Sequence, residues 1–250
     1  MYRTLLPLVF ILFFGIQGCR SESNFGPADP KFDLTDFDFG RIPQNSIVTH
    51  IYNLTNEGGD SVKVTYLRAH CGCTKAPLED SIAFAGETIP IELRFDSGRF
   101  RGKNHKTASI SMDYGGPAPK GFKLFFRANV DTVSNPFSYG ELGATTDKIQ
   151  FSDSVETVEL TLINRSATKR TVKVVDYQED RIDLSWDEKR IGPWKEAILE
   201  VTRLVSGANL VASITLEIPG RQNSRITIPV EGYRAPRIRT YSPIMEKGPR

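Results

Sequence analysis

From Phe37 onward the chain breaks into short runs of alternating or β-branched residues separated by Gly, Asn, Asp and Pro, and no stretch holds a convincing helical period. A half-buried strand places successive side chains on opposite faces, so such runs read as strands. The first set is "SIVTHIYNL", "SVKVTYLRA", "TIPIELRF", "KTASISMDY" and "GFKLFFRANV". After Val130 the pattern pauses at "DTVSNPFSYG". It resumes as "TVELTLIN", "RTVKVVDY", "RIDLSW", "EAILEVTRLV", "NLVASITLEI" and "SRITIPVEGY". Regular spacing of this kind predicts an all-β chain of antiparallel sandwiches, and 250 residues suffice for two units of about a hundred residues each.

The two sets read as one unit used twice. "THIYNLTNEGGDSVKVTYLRA" lines up with "VELTLINRSATKRTVKVVDYQ", a strand ending in Asn, a polar turn, then alternating valines. "SIAFAGETIPIELRF" lines up with "EKRIGPWKEAILEVTRL", which sets Gly86 against Gly192. The division falls near residue 135, with a first unit over 32–133 and a second over 136–235. Duplication informs architecture rather than activity.

The start of the chain is of a different kind. In "MYRTLLPLVFILFFGIQGC" a positive Arg3 precedes an apolar run from Leu5 to Ile16, about the length of a signal-peptide core and short for a membrane span. Ile16-Gln17-Gly18-Cys19 resembles the lipobox of bacterial lipoproteins. That resemblance implies a lipoprotein signal peptide over 1–18, cleavage before Cys19, and lipidation of Cys19 by enough acyl chains for stable membrane anchoring. The polar, Gly- and Pro-containing stretch that follows reads as a tether over 19–31. Arg20, with no Asp beside the cysteine, points to the outer membrane of a bacterial cell envelope. Residues 236–250 form a basic, Pro-containing tail.

Export sets the redox environment, since envelope and extracellular thiols tend to end as disulfides. The chain has three cysteines. With Cys19 given to lipid, Cys71 and Cys73 remain as a pair. Lys and Arg number 32 against 30 Asp and Glu, a formal charge of +2, which is no footprint of a nucleic-acid binder.

The pair sits in "HCGCTKAP". Together with Phe37-Asp38-Phe39-Gly40, the stretch Asn53 to Asn56, and Gly86-Glu87 followed by Phe95-Asp96, this first unit resembles a bacterial family of immunoglobulin-like domains of unknown function marked by Cys-Gly-Cys-Thr, similar to hydin-type (ASH) modules. The resemblance covers about residues 33–130 and implies an immunoglobulin-like sandwich with no established catalytic residue. The sequence departs from the family at Phe84-Ala85-Gly86, where the turn normally carries proline. The second unit matches only in general pattern.

In an extended strand Cys71 and Cys73 would lie about 6.6 Å apart, near the long end of disulfide reach, and Gly72 permits a turn or bulge that brings them together. The second unit has no cysteine at the matching place, "YQEDRIDLSW". Four readings stay open: a local disulfide, a redox-reactive pair, a copper or zinc site of Cys71, Cys73 and His70, or inert thiols. His50 and His105 are the other histidines. Glu79-Asp80 and Glu179-Asp180 read as solvated turns. Arg94, Arg99, Arg101, Lys103 and Lys106 form a basic loop, read as a solvated hairpin. Trp186 and Trp194 are expected in the core rather than on a ligand platform. No phosphate loop, metalloprotease helix or nucleophile elbow occurs.

The sequence thus describes two tandem immunoglobulin-like antiparallel β-sandwiches after an N-terminal signal peptide. It would be a lipid-anchored envelope protein acting by binding or scaffolding and not as an enzyme, with no cofactor required. Its partners would be the membrane through Cys19 and another envelope protein or a glycan. The alternative is a periplasmic redox or copper-handling protein working through Cys71 and Cys73. Cys19→Ala should block lipidation and move the protein from the detergent phase to the aqueous phase. Mass spectrometry finding an unmodified Cys19 at the start of a processed chain would overturn the anchor.

Overall fold

A computed structural model describes residues 26–76, 81–133, 135, 137–152, 154–205 and 210–232. The signal peptide over 1–18, Cys19, Glu79-Asp80 and the tail over 236–250 lie outside the described residues. No helix occurs among the described residues.

The first unit contains β1 (Pro30–Phe32), β2 (Asp36–Pro43), β3 (Ile47–Asn56), β4 (Val62–Ala69), β5 (Thr74–Lys75), β6 (Ile82–Ala83), β7 (Thr88–Asp96), β8 (Gly102–Asp113) and β9 (Lys120–Asp131). The second contains β10 (Leu142–Ala144), β11 (Ile149–Phe151), β12 (Thr157–Asn164), β13 (Arg170–Thr171), β14 (Lys173–Asp176), β15 (Ile182–Trp186), β16 (Arg190–Ile191), β17 (Glu196–Arg203), β18 (Val211–Glu217) and β19 (Ile226–Gly232). Each unit is an immunoglobulin-like sandwich. One sheet of the first runs β1-β3-β7-β5, and its counterpart in the second runs β10-β12-β17-β15. The facing sheets of the two units are continuous, in the order β14-β18-β19-β2-β9-β8-β4-β6.

Alternation fills two cores. Phe39, Tyr52, Phe95 and Phe126 are buried in the first, and Phe137, Phe151, Leu199 and Ile228 in the second. Folding also reaches into the segment expected as tether. Ala28 is buried, Asp29 N–H donates to Asn56 Oδ1 at 3.1 Å, and Pro30 pairs with Asn56 in the β1–β3 ladder. A sandwich edge that would otherwise stay open is closed by these residues, so the tether stops short of residue 31.

The duplication extends to single atoms. Asn56 Nδ2 donates to the carbonyl of Asp60 and, at 3.2 Å, to that of Ala83. Asn164, at a separation of 164 − 56 = 108 residues, donates to Thr168 O (2.8 Å) and Ile191 O (3.0 Å) at the same offsets. Each Asn side chain satisfies buried backbone acceptors at the mouth of a turn, which apolar side chains cannot do. The same separation corrects one pairing made from the sequence. The turns closed by Glu87 N–H on Phe84 O and by Lys195 N–H on Gly192 O match, so Gly86 corresponds to Trp194 and not to Gly192. Both adopt positive φ, +79° and +57°.

At the seam, β2 and β19 meet in parallel through Ile226 and Arg41. Arg41 N–H donates to Arg225 O (3.0 Å), Thr227 Oγ1 to Phe39 O (2.5 Å) and Arg225 Nη1 to Asp38 O (3.0 Å). Gly40 lies between these contacts at φ +67°, and a Cβ there would fall 2.2 Å from Arg225 O. The glycine of Phe37-Asp38-Phe39-Gly40 is therefore required by contact with the other unit. Gly40→Ala should cost about 1–3 kcal/mol from backbone strain alone, with the clash added. It should lower Tm and expose the stretch between the units to protease. An unchanged melt and digestion pattern would show that the seam does not couple the units.

Candidate functional site

The sequence does not single out the most heavily built polar site, which lies where the second unit packs on the outer face of β3 and β7. Glu92 stands outward on β7, yet only 10% of its side chain is exposed. Thr49 Oγ1 donates to its Oε1 at 2.7 Å. Arg94 donates through Nε (2.9 Å) and Nη2 (2.8 Å), and Arg181 through Nη1 (2.6 Å) and Nη2 (3.1 Å). Burial pushes the Glu92 carboxyl up, but hydrogen bonds from Arg181, Arg94 and Thr49 outweigh it and bring the pKa to about 2. Burial likewise works against the Arg181 cation, and the contact with Glu92 more than offsets it.

Around this carboxylate a side chain of the second unit bonds to the backbone of Thr49, and further bonds within the second unit hold the docking residues. Thr49 N–H donates to Ser213 Oγ (3.0 Å) while Ser213 Oγ donates to Thr49 O (2.8 Å). Ser213 N–H donates to Gln178 Oε1 (2.8 Å), and Arg181 Nη1 also reaches Val211 O (2.7 Å). His50 is buried against Phe37, with the rings stacked at 3.7 Å. Its Nδ1 lies 3.0 Å from Asp176 Oδ2 of the second unit, but neither ring nitrogen has a partner in hydrogen-bond geometry. Beside the junction opens a cleft of about 960 Å³, lined by Asn53, Pro90 and Glu92 on one side and by Tyr177, Glu179 and Val211 on the other.

Cys71 and Cys73 are bonded to each other, with Cα atoms 5.3 Å apart. The chain turns between β4 and β5, Thr74 N–H donating to Cys71 O at 3.2 Å, and this shortens the extended-strand separation. Cys73 packs in the core at 7% exposure, while Cys71 is half-buried. The Thr74 hydroxyl lies 3.3 Å from Cys71 Sγ and 3.8 Å from Cys73 Sγ. His70 turns to the neighbouring strand, its Nε2 2.7 Å from Ser109 Oγ. Among the described residues no group of three or more His, Cys, Asp and Glu side chains is placed to hold a metal ion.

The remaining candidates scatter. Arg94 belongs to the junction and not to a basic loop. Lys106 lies over the rings of Phe100 (3.8 Å) and Phe95 (5.7 Å), Arg99 lies over Phe100 (5.3 Å), and Arg101 and Lys103 face solvent. Trp186 is partly buried against the second core as expected, whereas Trp194 is 67% exposed, because its turn carries it at positive φ away from the sheet. Glu179 and Asp180 line the cleft, Asp180 pairing with Arg181 at 3.4 Å.

The junction was legible only in part. Thr49 and Glu92 take outward positions in alternating strands, which sequence reading assigns to solvent. The 108-residue repeat carries the missing signal. Arg181 corresponds to Cys73, so the turn that bears the disulfide in one unit bears the docking arginine in the other.

Glu92→Gln keeps the shape and removes the charge between two guanidiniums, and should cost about 3 kcal/mol, the low end for breaking a buried ion pair. Because the folded carboxyl titrates near 2, below its ordinary 4.5, its contribution is complete above pH 4.5 and is lost as pH falls toward 2. Denaturant midpoints measured from pH 7 to pH 2.5 should fall more steeply for the native chain than for Glu92→Gln. Parallel curves would remove Glu92 from the junction's energetics.

The model of a family described as "Protein of unknown function (DUF1573)" matches residues 30–130, from β1 into β9, so the match ends with the first unit. Comparison with curated proteins gives no match. Among solved structures, the chain is similar to the ASH / PapD-like domain 7 of human CEP192, with 10% identity, coverage of 53% of this chain and 99% of that one, and a TM-score of 0.38. It is similar also to a protein of unknown function from Porphyromonas gingivalis W83, with 12% identity, 82% and 100% coverage and a TM-score of 0.34. The E. coli chaperone DraB gives 8% identity, 83% and 98% coverage and a TM-score of 0.34. The likeness to these three is one of fold.

Proposed function

We propose that this protein is a lipid-anchored, non-catalytic binding module of the cell envelope that takes a polypeptide partner on the outer face of β12, β17 and β15. One observation carries the reading. The corresponding face of the first unit binds a polypeptide turn in this very chain, through Arg181 on Glu92. By the same 108-residue separation Thr157 and Glu200 repeat Thr49 and Glu92. Both Thr157 and Glu200 are exposed.

The second face is also short of positive charge. Glu200 stands directly opposite Glu159 in the β12–β17 ladder, with Ser185 of β15 on its other side and Asp183 exposed on the same strand. Like charges placed opposite each other on a sheet repel, and a cation on this face would relieve them. The favoured partner is therefore a turn or strand presenting arginine, whose planar fork suits a carboxylate between strands. Cys19 would hold the module at a membrane and leave this face free, in line with the lipobox-like Ile16 to Cys19.

Photo-crosslinking in intact cells tests the reading. A benzoylphenylalanine at Ser185 should give a discrete crosslinked protein in the membrane fraction, and Glu200→Lys should reduce that product at least tenfold without changing the amount of protein. The same probe at Lys123, on the other sheet of the first unit, should give none. Crosslinks from Lys123 that equal those from Ser185, or a product indifferent to Glu200→Lys, would discard this face as the binding surface.

A further inference from the structure

We propose that the Cys71–Cys73 disulfide is a thiol–disulfide exchange site that accepts two electrons from a protein dithiol. The bond encloses one residue, so it removes little entropy from the unfolded chain and contributes little as a staple. The second unit leads into its equivalent strand without it: Thr74 pairs with Phe95, and Ile182 pairs with Arg203, each 108 residues further on, after a turn that Arg181 N–H closes on Gln178 O at 3.0 Å. Something other than folding accounts for two cysteines at this turn.

Access is one-sided, as exchange requires. Cys71 is half-buried and Cys73 is 7% exposed, so an incoming sulfur meets Cys71 first. Gly72 between them is exposed, and a Cβ built there would meet nothing within 4 Å, which leaves the approach open. The nearly buried Thr74 hydroxyl lies 3.3 Å from Cys71 Sγ and 3.8 Å from Cys73 Sγ, within reach of either sulfur as it becomes a thiolate.

The step balances with a dithiol as reductant. One partner thiolate attacks Cys71 Sγ, the Cys71–Cys73 bond breaks, and Cys73 leaves as a thiolate that takes a proton from solvent. The partner's second thiolate then attacks its own sulfur in the mixed disulfide, which releases Cys71. The partner loses two electrons and ends as a disulfide, and the Cys71–Cys73 pair gains them and ends as a dithiol.

The test uses the full chain carrying Cys19→Ser, so that only this pair reacts. Reduced glutathione is added briefly, the reaction is quenched, and the "AHCGCTK" peptide is sequenced by mass spectrometry. Glutathione should sit on Cys71 at least tenfold more often than on Cys73. Millimolar dithiothreitol should open the bond while the β circular dichroism stays unchanged, and oxidised dithiothreitol should close it again. In Cys73→Ser the remaining Cys71 should react with oxidised glutathione at least tenfold faster than Cys73 does in Cys71→Ser. Equal labelling of the two sulfurs overturns the proposal. So does a bond that opens only after the chain is unfolded, or a first unit that melts on reduction.

Discussion

A carboxylate held between two guanidiniums decides how the two halves of this molecule sit. Glu92 lies on a face of the first sandwich that would be wet if that sandwich stood alone, and the second sandwich covers it with Arg181. Burying a charge is costly unless its partners come with it. Here they do, since Arg94, Arg181 and the Thr49 hydroxyl all point at the same carboxyl group. The arrangement tolerates little rotation of one unit on the other. Ser213 and Gln178 bond to the backbone of Thr49, and the shared sheet passes through Gly40 close by in sequence.

The junction also explains a division of labour between two copies of one unit. The turn after the fourth strand of the first unit holds Cys71 and Cys73, and its equivalent in the second holds Gln178 and Arg181. A turn that projects from a sandwich edge can contact another body without disturbing the core beneath it. In one copy the contact has become the fixed internal joint. In the other the turn is turned outward, with one sulfur reachable and the other packed inside. The same logic applies to the faces: Glu92 is covered, and Glu200, its repeat, is open.

Two further features follow from the packing of unlike copies. Trp194 occupies a left-handed position that Gly86 fills in the first unit, where a side chain other than glycine's costs about a kcal/mol or more. The turn survives because Asn164 ties both of its sides, its side chain donating to Ile191 O and Gly192 O before the turn and its backbone N–H to Lys195 O after it, so local strain is set against a well-satisfied network. His50 is the opposite case. It is enclosed by Phe37 and Tyr52 at good ring distances, yet the unit boundary gives its nitrogens a carboxylate without hydrogen-bond geometry.

Much of the fold was legible in the residues. Alternation in "SIVTHIYNLTN" and "TVELTLIN" marks strands with one apolar face, and the shared Asn at the end of each, Asn56 and Asn164, marks a repeat, because the period of two and the turn chemistry are local properties of the chain. The closeness of Cys71 and Cys73 is local as well, needing only a turn at Gly72. Alternation tells which face of its own sheet a residue takes, but not what lies beyond that face. In the sequence Thr49 and Glu92 therefore stand only as members of alternating strands, Arg181 as the first residue of "RIDLSW" and Gly40 as one landmark of Phe37-Asp38-Phe39-Gly40. Their roles arise from contacts made across 89 residues, for Glu92 with Arg181, and across 164, for Thr49 with Ser213. Docking of one sandwich on another depends on shape and on charge brought together in three dimensions, so only the tertiary structure could decide it.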